Sequence, residues 1–192
     1  MKKYVVLLAL VSSFGAFAQI EKGTKTFGGT GGLSLSQSKS GTDYMSARLK
    51  PEFGYFLKKN WMIQSQLNLG YTYIKQGFDL DKNVQGLNTG LSLSTRYYVP
   101  INERFMLFGE FGIAMNTSFA KHEDFFWRSV SSRNPIYMNS FATVGASYFL
   151  TDNLAIEAGV RYTSGGLNLA NGSGVLSVPI GIKYYFGRGK KK

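Results

Sequence analysis

Apolar and polar residues alternate along most of this chain, and four of the alternating segments end in the same kind of tripeptide. Each tripeptide has two aromatic residues and then a bulky apolar one: Tyr55-Phe56-Leu57, Tyr97-Tyr98-Val99, Tyr148-Phe149-Leu150 and Tyr184-Tyr185-Phe186. Turn signals follow the first three, and the alternation restarts at Trp61, Phe105 and Leu154. Short turns and a girdle of rings at one membrane interface are typical of an up-and-down barrel. One such ending per strand pair predicts eight strands.

The period of two identifies the segments as strands, because successive side chains of a strand point to opposite faces. Between Trp61 and Ile74, for example, Ile63 and Leu67 share one face while Gln64 and Gln66 share the other. The predicted strands are Thr26–Ser36, Tyr44–Leu57, Trp61–Ile74, Gly86–Val99, Phe105–Asn116, Ile136–Leu150, Leu154–Thr163 and Val175–Phe186. The predicted fold is all-β, an eight-stranded antiparallel up-and-down transmembrane β-barrel.

Alternation alone does not say which face is outside, since a soluble eight-stranded barrel turns its apolar face inward around a ligand. Three features favour the membrane barrel. The chain begins with an export signal, and the aromatics lie next to the turns. The polar face is rich in Gly, Ser, Thr, Asn and Gln, which fit a lumen only just wide enough for side chains.

The N-terminus has the pattern of a cleaved leader. Lys2-Lys3 precede an apolar stretch, and Ala16-Phe17-Ala18 has the small-x-small form of a signal peptidase site. We expect a signal peptide at 1–18, a barrel at 19–187 and a short basic periplasmic tail at 188–192. Removing two lysines from a net charge of +11 leaves +9 on the mature chain. Cysteine is absent, so no disulfide and no lipoprotein anchor is available.

The last predicted strand carries the sharpest motif, Gly181-Ile182-Lys183-Tyr184-Tyr185-Phe186. With the whole-chain pattern, it resembles the small eight-stranded outer-membrane barrels of the OmpX and OmpA transmembrane-domain type, and most of all the β-barrel-domain proteins of Bacteroidota. The resemblance implies a location in the outer membrane as a multi-pass barrel. It also implies that Gly181, Tyr184 and Phe186 form the signal that the barrel-assembly machinery recognises. That signal usually ends the chain, whereas Gly187 to Lys192 follow it here.

The inward face of the predicted barrel collects charged residues. They are Arg48, Lys50, Glu52, Arg96, Glu110, Glu157, Arg161 and Lys183. A buried charge must be paired or hydrated. Five cations and three carboxylates therefore predict a salt-bridged lumen with some water or a counter-anion. The alternative interpretation is a narrow, anion-preferring leak. Nothing in the sequence supplies a substrate cleft between Glu110 and Glu157, so we do not interpret them as an acid/base pair.

If the turns after the aromatic tripeptides are periplasmic, the other connections face outward. They are Gln37–Asp43, Lys75–Gln85, Thr117–Pro135 and Ser164–Gly174. The third contains Phe125-Phe126-Trp127-Arg128, and aromatics and Arg dominate interface energetics. This segment is a candidate partner surface, and the alternative is that it packs on neighbouring loops.

No catalytic residues, cofactor or metal site are predicted. The one histidine, His122, precedes Glu123 and Asp124 without a nearby serine, unlike the outer-membrane lipid A enzymes, and it leaves no multi-histidine metal site. The basic residues are scattered, which favours lipid headgroups over nucleic acid as the counter-charge. The sequence predicts a non-enzymatic barrel with a structural or surface-interaction role. A narrow channel or a lateral path for small or apolar solutes is the alternative, and a lipid A-modifying enzyme is a distant third.

Overall fold

Strands make up the body of the molecule. The computed structural model describes residues 20–37, 43–75, 83–123, 136–167 and 174–187. Within these ranges the chain forms β1 (Lys25–Gln37), β2 (Asp43–Lys58), β3 (Trp61–Lys75), β4 (Asn83–Pro100), β5 (Phe105–Glu123), β6 (Tyr137–Phe149), β7 (Leu154–Ser164), β8 (Gly174–Ser177) and β9 (Ile180–Phe186). Consecutive strands from β1 to β7 pair antiparallel, and β9 pairs with both β7 and β1, which closes the sheet into a barrel. Among these residues no helix is long and apolar enough to cross a membrane.

The eighth strand of the barrel consists of β8 and β9, which lie end to end along β7. Arg161 is in register with Ser177 of β8, and Leu154 is in register with Tyr184 of β9. Pro179 interrupts the strand because proline has no backbone N–H to donate to the ladder, although its carbonyl accepts a bond from Gly159 N at 3.2 Å. The predicted eight-stranded antiparallel barrel is confirmed, but the continuous strand predicted from Val175 to Phe186 is wrong at this proline.

The fifth strand is longer than the predicted Phe105–Asn116. It continues past Asn116 to Glu123, and Thr117 to Glu123 pair in register with Thr89 to Asn83 of β4. Hydrogen bonding between the two strands extends the hairpin through a segment whose alternation is weak. The predicted loop Thr117–Pro135 therefore begins too early, and His122 and Glu123 lie in a strand.

Three tight connections define what we call the short-turn end of the barrel. In the first, Asn60 adopts φ 59°, a left-handed conformation that asparagine tolerates. In the second, Asn102 Oδ1 accepts bonds from the amides of Arg104 and Phe105 at 2.9 and 2.8 Å. In the third, Thr151 Oγ1 accepts from Leu154 N at 3.1 Å. We call the opposite end the loop end, and it leads to the connections at 38–42, 76–82, 124–135 and 168–173. These connections lie outside the described residues, and so do Phe125, Phe126, Trp127 and Arg128 of the predicted partner segment. The predicted leader 1–18 and tail 188–192 lie outside them as well.

The two faces of the strands lie as the alternation predicts. Apolar side chains such as Leu67, Leu91 and Ile180 are exposed on the outside, while Gln64 and Gln66 are buried inside. A continuous apolar exterior of this kind on a closed barrel matches a lipid-facing wall.

Arginine on this exterior should destabilise the barrel according to depth. Leu67, Leu91 and Ile113 are exposed and lie away from the ends of their strands, and the exposed Ile180 lies midway along the eighth strand of the barrel, which β8 and β9 form together. We expect Arg at any one of them to cost about 2–4 kcal/mol of unfolding free energy in liposomes. The matched control is Leu150→Arg, an exposed position at the short-turn end, for which we expect about 0–1 kcal/mol. Urea titration that ranked the control as more damaging would show that the membrane contacts a different face.

Candidate functional site

Six charged side chains meet inside the barrel because they occupy inward positions on five strands. Glu52 comes from β2, Arg96 from β4, Glu110 from β5, Glu157 and Arg161 from β7, and Lys183 from β9. Arg96, Glu110, Thr143 and Arg161 are register neighbours across β4 to β7. All six charged residues are buried. We call them the charge network.

Ion pairs join the six residues in an alternating order of sign. Lys183 Nζ lies 2.9 Å from Glu52 and 3.1 Å from Glu157. Arg96 bridges two carboxylates, with Nη1 2.5 Å from Glu157 and Nη2 2.7 Å from Glu110. Arg161 then reaches Glu110 at 3.4 Å. Three cations and three carboxylates make the network neutral, which is how buried charges avoid a large desolvation cost.

Two glutamines connect the ends of this chain of ion pairs. The amide nitrogens of Gln64 and Gln66 each donate to both Glu52 and Glu110, at 3.0 to 3.3 Å. Their amide oxygens accept from cations, Gln64 from Lys183 at 3.2 Å and Gln66 from Arg161 at 3.4 Å. Because β3 and β7 lie on different sides of the barrel, the bond between Gln66 and Arg161 crosses the lumen.

Hydroxyl groups fill the remaining hydrogen-bonding positions of the network. Ser94 donates to Glu110 and Ser147 to Glu157, both at 2.8 Å. Arg161 Nε donates to Thr143 Oγ1 at 2.9 Å. Arg96 Nε is the one buried side-chain nitrogen of the described residues with no hydrogen-bond partner. The network is therefore almost fully satisfied by the protein itself.

Below the network, an apolar and aromatic layer fills the lumen at the short-turn end. We call this layer the aromatic plug, and its buried members are Ile20, Phe56, Met62, Tyr98, Met106, Phe108, Phe149, Ala155 and Tyr185. The rings of Phe149 and Tyr185 lie 5.0 Å apart, and those of Phe56 and Tyr98 lie 5.7 Å apart. Ile20 N donates to Asn60 Oδ1 at 2.9 Å and Ile20 O accepts from Asn60 N at 3.0 Å, and these two bonds hold the N-terminal segment across this end.

Two tyrosines couple the plug to the charges. Glu157 Oε1 lies 3.0 Å from the Tyr185 hydroxyl and 3.2 Å from the Tyr98 hydroxyl. The guanidinium of Arg96 also stacks 4.2 Å from the centre of the Phe108 ring. The plug and the charge network thus form one continuous packed unit.

The structure does not bring Arg48 and Lys50 into this unit. Both lie on the inward face of β2, nearer the loop end than Glu52, with Arg48 exposed and Lys50 half-buried. Within the part of the chain that the structure describes, neither has a carboxylate within 4.0 Å, the ion-pair limit. We call Arg48 and Lys50 the mouth pair.

The residues of the predicted assembly signal lie on β9. Gly181 faces inward, where an added Cβ would come within 2.4 Å of the backbone oxygen of Gly29, so close strand packing requires glycine there. Tyr184 and Phe186 face outward, with ring centres 4.9 Å apart. Recognition by the assembly machinery stays a prediction.

Sequence reasoning missed the uncharged half of the site. Four uncharged residues contact a buried carboxylate: Gln64, Gln66, Ser94 and Ser147. In the sequence they are indistinguishable from the other small or amide residues of the polar face. The sequence analysis also assigns all the rings of the aromatic tripeptides to the girdle, whereas the middle residues lie inside the lumen. The alternation of strand faces could have shown this, because it puts the middle residue of each tripeptide on the other face of the strand from its two neighbours.

In chemical terms, this arrangement holds the charged groups in fixed positions within a packed lumen. Each carboxylate of the charge network is held by a cation and a neutral donor, so none is positioned as a free general base. In the described ranges, no group of three or more His, Cys, Asp or Glu residues could hold a metal ion.

A closed barrel with an apolar exterior and a polar, packed lumen defines a small β-barrel membrane protein. The family described as outer membrane protein beta-barrel domain matches residues 4–186, and the chain belongs to it. The protein is accordingly located in the outer membrane. No curated protein matches the chain in sequence.

Solved structures of other proteins show the same fold. The N-terminal β-barrel domain of Pseudomonas aeruginosa OprF is 16% identical with a TM-score of 0.51, covering 86% of this chain and 98% of that one. The outer membrane protein OprG of Pseudomonas aeruginosa is also 16% identical at 0.51, covering 89% and 99%. Neisserial surface protein A is 14% identical at 0.50, covering 85% and 96%.

Removing one carboxylate from the charge network should destabilise the barrel strongly. In Glu110→Ala, Arg161 loses its ion-pair partner and Arg96 keeps only Glu157. Because both arginines stay buried, we expect a loss of about 3–5 kcal/mol in unfolding free energy. The matched control is Glu21→Ala, at an exposed carboxylate of the short-turn end, which should be nearly neutral. Urea unfolding in liposomes that gave equal losses for the two variants would contradict the role of the network.

Proposed function

We propose that the protein is a non-enzymatic outer-membrane barrel with a structural or surface-interaction role, and that its outer loops carry any partner specificity. One observation carries the structural part. The charge network and the aromatic plug fill consecutive levels of the lumen and bond to each other through Tyr98 and Tyr185. An eight-stranded interior is only just wide enough for side chains, so two filled levels close the axial route.

The length of β4 and β5 supports the surface role. These strands contain 18 and 19 residues. A tilted strand needs only about 9–11 residues to span a bilayer. Their paired extension to Asn83 and Glu123 therefore projects the hairpin beyond the membrane at the loop end. The segment with Phe125, Phe126, Trp127 and Arg128 follows this hairpin directly.

Export and assembly belong to the same proposal. The leader at 1–18 would direct secretion across the inner membrane of a Gram-negative cell. The N-terminal segment, which is bonded to Asn60 at the short-turn end, would then lie with that end in the periplasm. Gly181, Tyr184 and Phe186 would engage the barrel-assembly machinery during biogenesis. Outer-membrane lipids would surround the apolar exterior throughout.

A lateral path is the second candidate function, and one observation favours it over an axial channel. Hydrogen bonding between β1 and β9 extends only as far as Gly31 and Ile180, and β8 pairs with β7 alone among the described residues. In the described part of the chain, the wall therefore has an unpaired stretch between β1 and β8, which we call the seam. The seam lies nearer the loop end than the charge network and the aromatic plug. A solute entering there would move between the loop end and the lipid, not through the barrel.

The blocked lumen predicts that the wild-type protein forms no open pore. In planar bilayers we expect no stable openings for the wild type. Glu110→Ala should behave in the same way, because losing a charge destabilises the packed lumen more than it opens a path through the aromatic plug. Stable sub-nanosiemens openings of the wild type would make the channel interpretation the better one.

The surface role predicts a partner that depends on the aromatic loop. Co-purification from native outer membranes in mild detergent should yield a stoichiometric partner with the wild type. Phe126→Ala combined with Trp127→Ala should lose it, since interface hot spots contribute about 2 kcal/mol or more each. Leu167→Ala, an exposed apolar residue before a different loop, is the matched control and should retain the partner. A bare wild-type monomer would favour a stand-alone structural role.

A further inference from the structure

The seam between β1 and β8 is the least expected feature of the barrel wall. If the register of β1 with β9 continued, Gly32 would lie opposite Pro179 and Leu33 opposite Val178. The ladder stops instead at Gly31 and Ile180, just before the proline. Between β1 and β8 the structure shows no strand pairing among the residues that it describes.

This seam lies in a part of the wall that is apolar outside. Leu33, Leu176 and Val178 are 77%, 70% and 67% exposed, and they flank the seam from its two sides. Backbone groups in hydrocarbon must be hydrogen-bonded, and each unsatisfied group costs several kcal/mol. The edges of β1 and β8 therefore call for a polar group between them, in a place where the neighbouring surface suits an acyl chain.

The mouth pair lies on the lumen side of the wall, at the point where the seam begins. Arg48 is in register with Gly32, the first residue of β1 beyond the ladder, and Lys50 is in register with Thr30, which still pairs with Gly181 of β9. An ideal Cβ on Gly32 would meet no atom within 4 Å, so no side chain of the described residues separates Arg48 from the edge of β1. On its other side Arg48 is in register with Gly70, a second position without a side chain.

The charges around this position are unbalanced. The charge network is neutral by itself, with three cations against three carboxylates. Arg48 and Lys50 add two positive charges next to it. Lys50 is within electrostatic range of Glu52 and Glu110, but the cations of the network already balance both of these carboxylates. A multiply charged oxyanion would balance the excess and accept hydrogen bonds from both cations.

We propose that the seam between β1 and β8 binds the phosphate headgroup of a membrane lipid, with the phosphate on Arg48 and Lys50 and an acyl chain along Leu33, Leu176 and Val178. The shared chemistry is a phosphate oxyanion. The apolar flanks and the opening toward the bilayer favour a lipid over free phosphate. This inference goes beyond a structural role and requires no conduction, so it stands or falls independently of the bilayer recordings.

Lipid retention by the full-length protein tests the charge part of the site. The protein would be placed in phosphatidylcholine nanodiscs with a minor fraction of phosphatidic acid, and the retained lipid would be counted by native mass spectrometry. We expect the wild type to retain one phosphatidic acid. Arg48→Gln with Lys50→Gln should weaken retention by about tenfold or more, since it removes two charged hydrogen bonds.

The matched control removes the same charge elsewhere. Lys22→Gln with Lys59→Gln changes two exposed lysines of the short-turn end and should retain the lipid. Because Arg48 and Lys50 have no carboxylate within 4.0 Å among the described residues, their replacement should not lower the stability toward urea. Equal retention of phosphatidic acid by the two double variants would overturn the proposal.

A pair of glycine substitutions tests the seam itself. Gly32→Leu places a side chain between Arg48 and the edge of β1, where there is space for it, and should reduce retention several-fold. Gly109→Leu on β5 also meets open space and should have no effect. Equal retention by these two variants would overturn the lateral position of the site. Millimolar inorganic phosphate should not displace the lipid from the wild type, and displacement would assign the site to a soluble oxyanion instead.

Discussion

The rest of the structure depends on the pairing of Arg96 with two carboxylates across a lumen too narrow for bulk water. Its guanidinium contacts Glu110 at 2.7 Å on the neighbouring strand and Glu157 at 2.5 Å on β7. An unpaired charge in this place would be strongly disfavoured, so β4, β5 and β7 must hold one relative position. In most barrels the turns and the facing of the side chains set the strand register. Here the ion pairs in the lumen constrain the register as well. The glutamines of β3 and Lys183 of β9 extend that constraint to most of the wall.

The aromatic tripeptides serve both surfaces of the wall at once. In Tyr97-Tyr98-Val99, the outer two residues are 55% and 43% exposed to the bilayer side, whereas Tyr98 is fully buried in the lumen. The same division holds for the other three copies, with Phe56, Phe149 and Tyr185 inside. A single short motif therefore places rings at the membrane interface and also closes the barrel at the same level. Through their hydroxyls Tyr98 and Tyr185 join this closure to Glu157, so membrane anchoring and lumen packing share the same few residues.

Sequence alone predicted the class of fold and the facing of the strands, because a period of two is visible in single residues. It could not give the partners of the charges. Whether Arg96 meets Glu110 depends on the register of β4 with β5, which the turn at 101–104 sets, and the contact of Arg96 with Glu157 depends on the curvature of the closed sheet. The extension of β5 to Glu123 was also hidden, since cross-strand bonds with β4 and not local alternation support it. Pro179 was visible in the sequence, but its effect on the pairing of β1 appears only where the ladder ends.

Strand β2 shows why the outer half of the lumen differs from the inner half. Its inward residues Glu52, Lys50 and Arg48 follow one another at intervals of two, so they occupy successive levels. Glu52 is held by Lys183 and two glutamines, whereas neither cation of the next two levels has a carboxylate within 4.0 Å among the described residues. Neutral residues there would avoid the desolvation of the half-buried Lys50 and the repulsion between the two cations, so this pair lowers stability without a packing reason. Violations of local rules in a protein that otherwise satisfies its buried charges are expected at functional positions. The pair also lies beside Gly32 of β1 and beside the end of the β1–β9 ladder. A phosphate at the seam would balance the two cations, occupy the space beside Gly32 and accept hydrogen bonds at the unpaired strand edge.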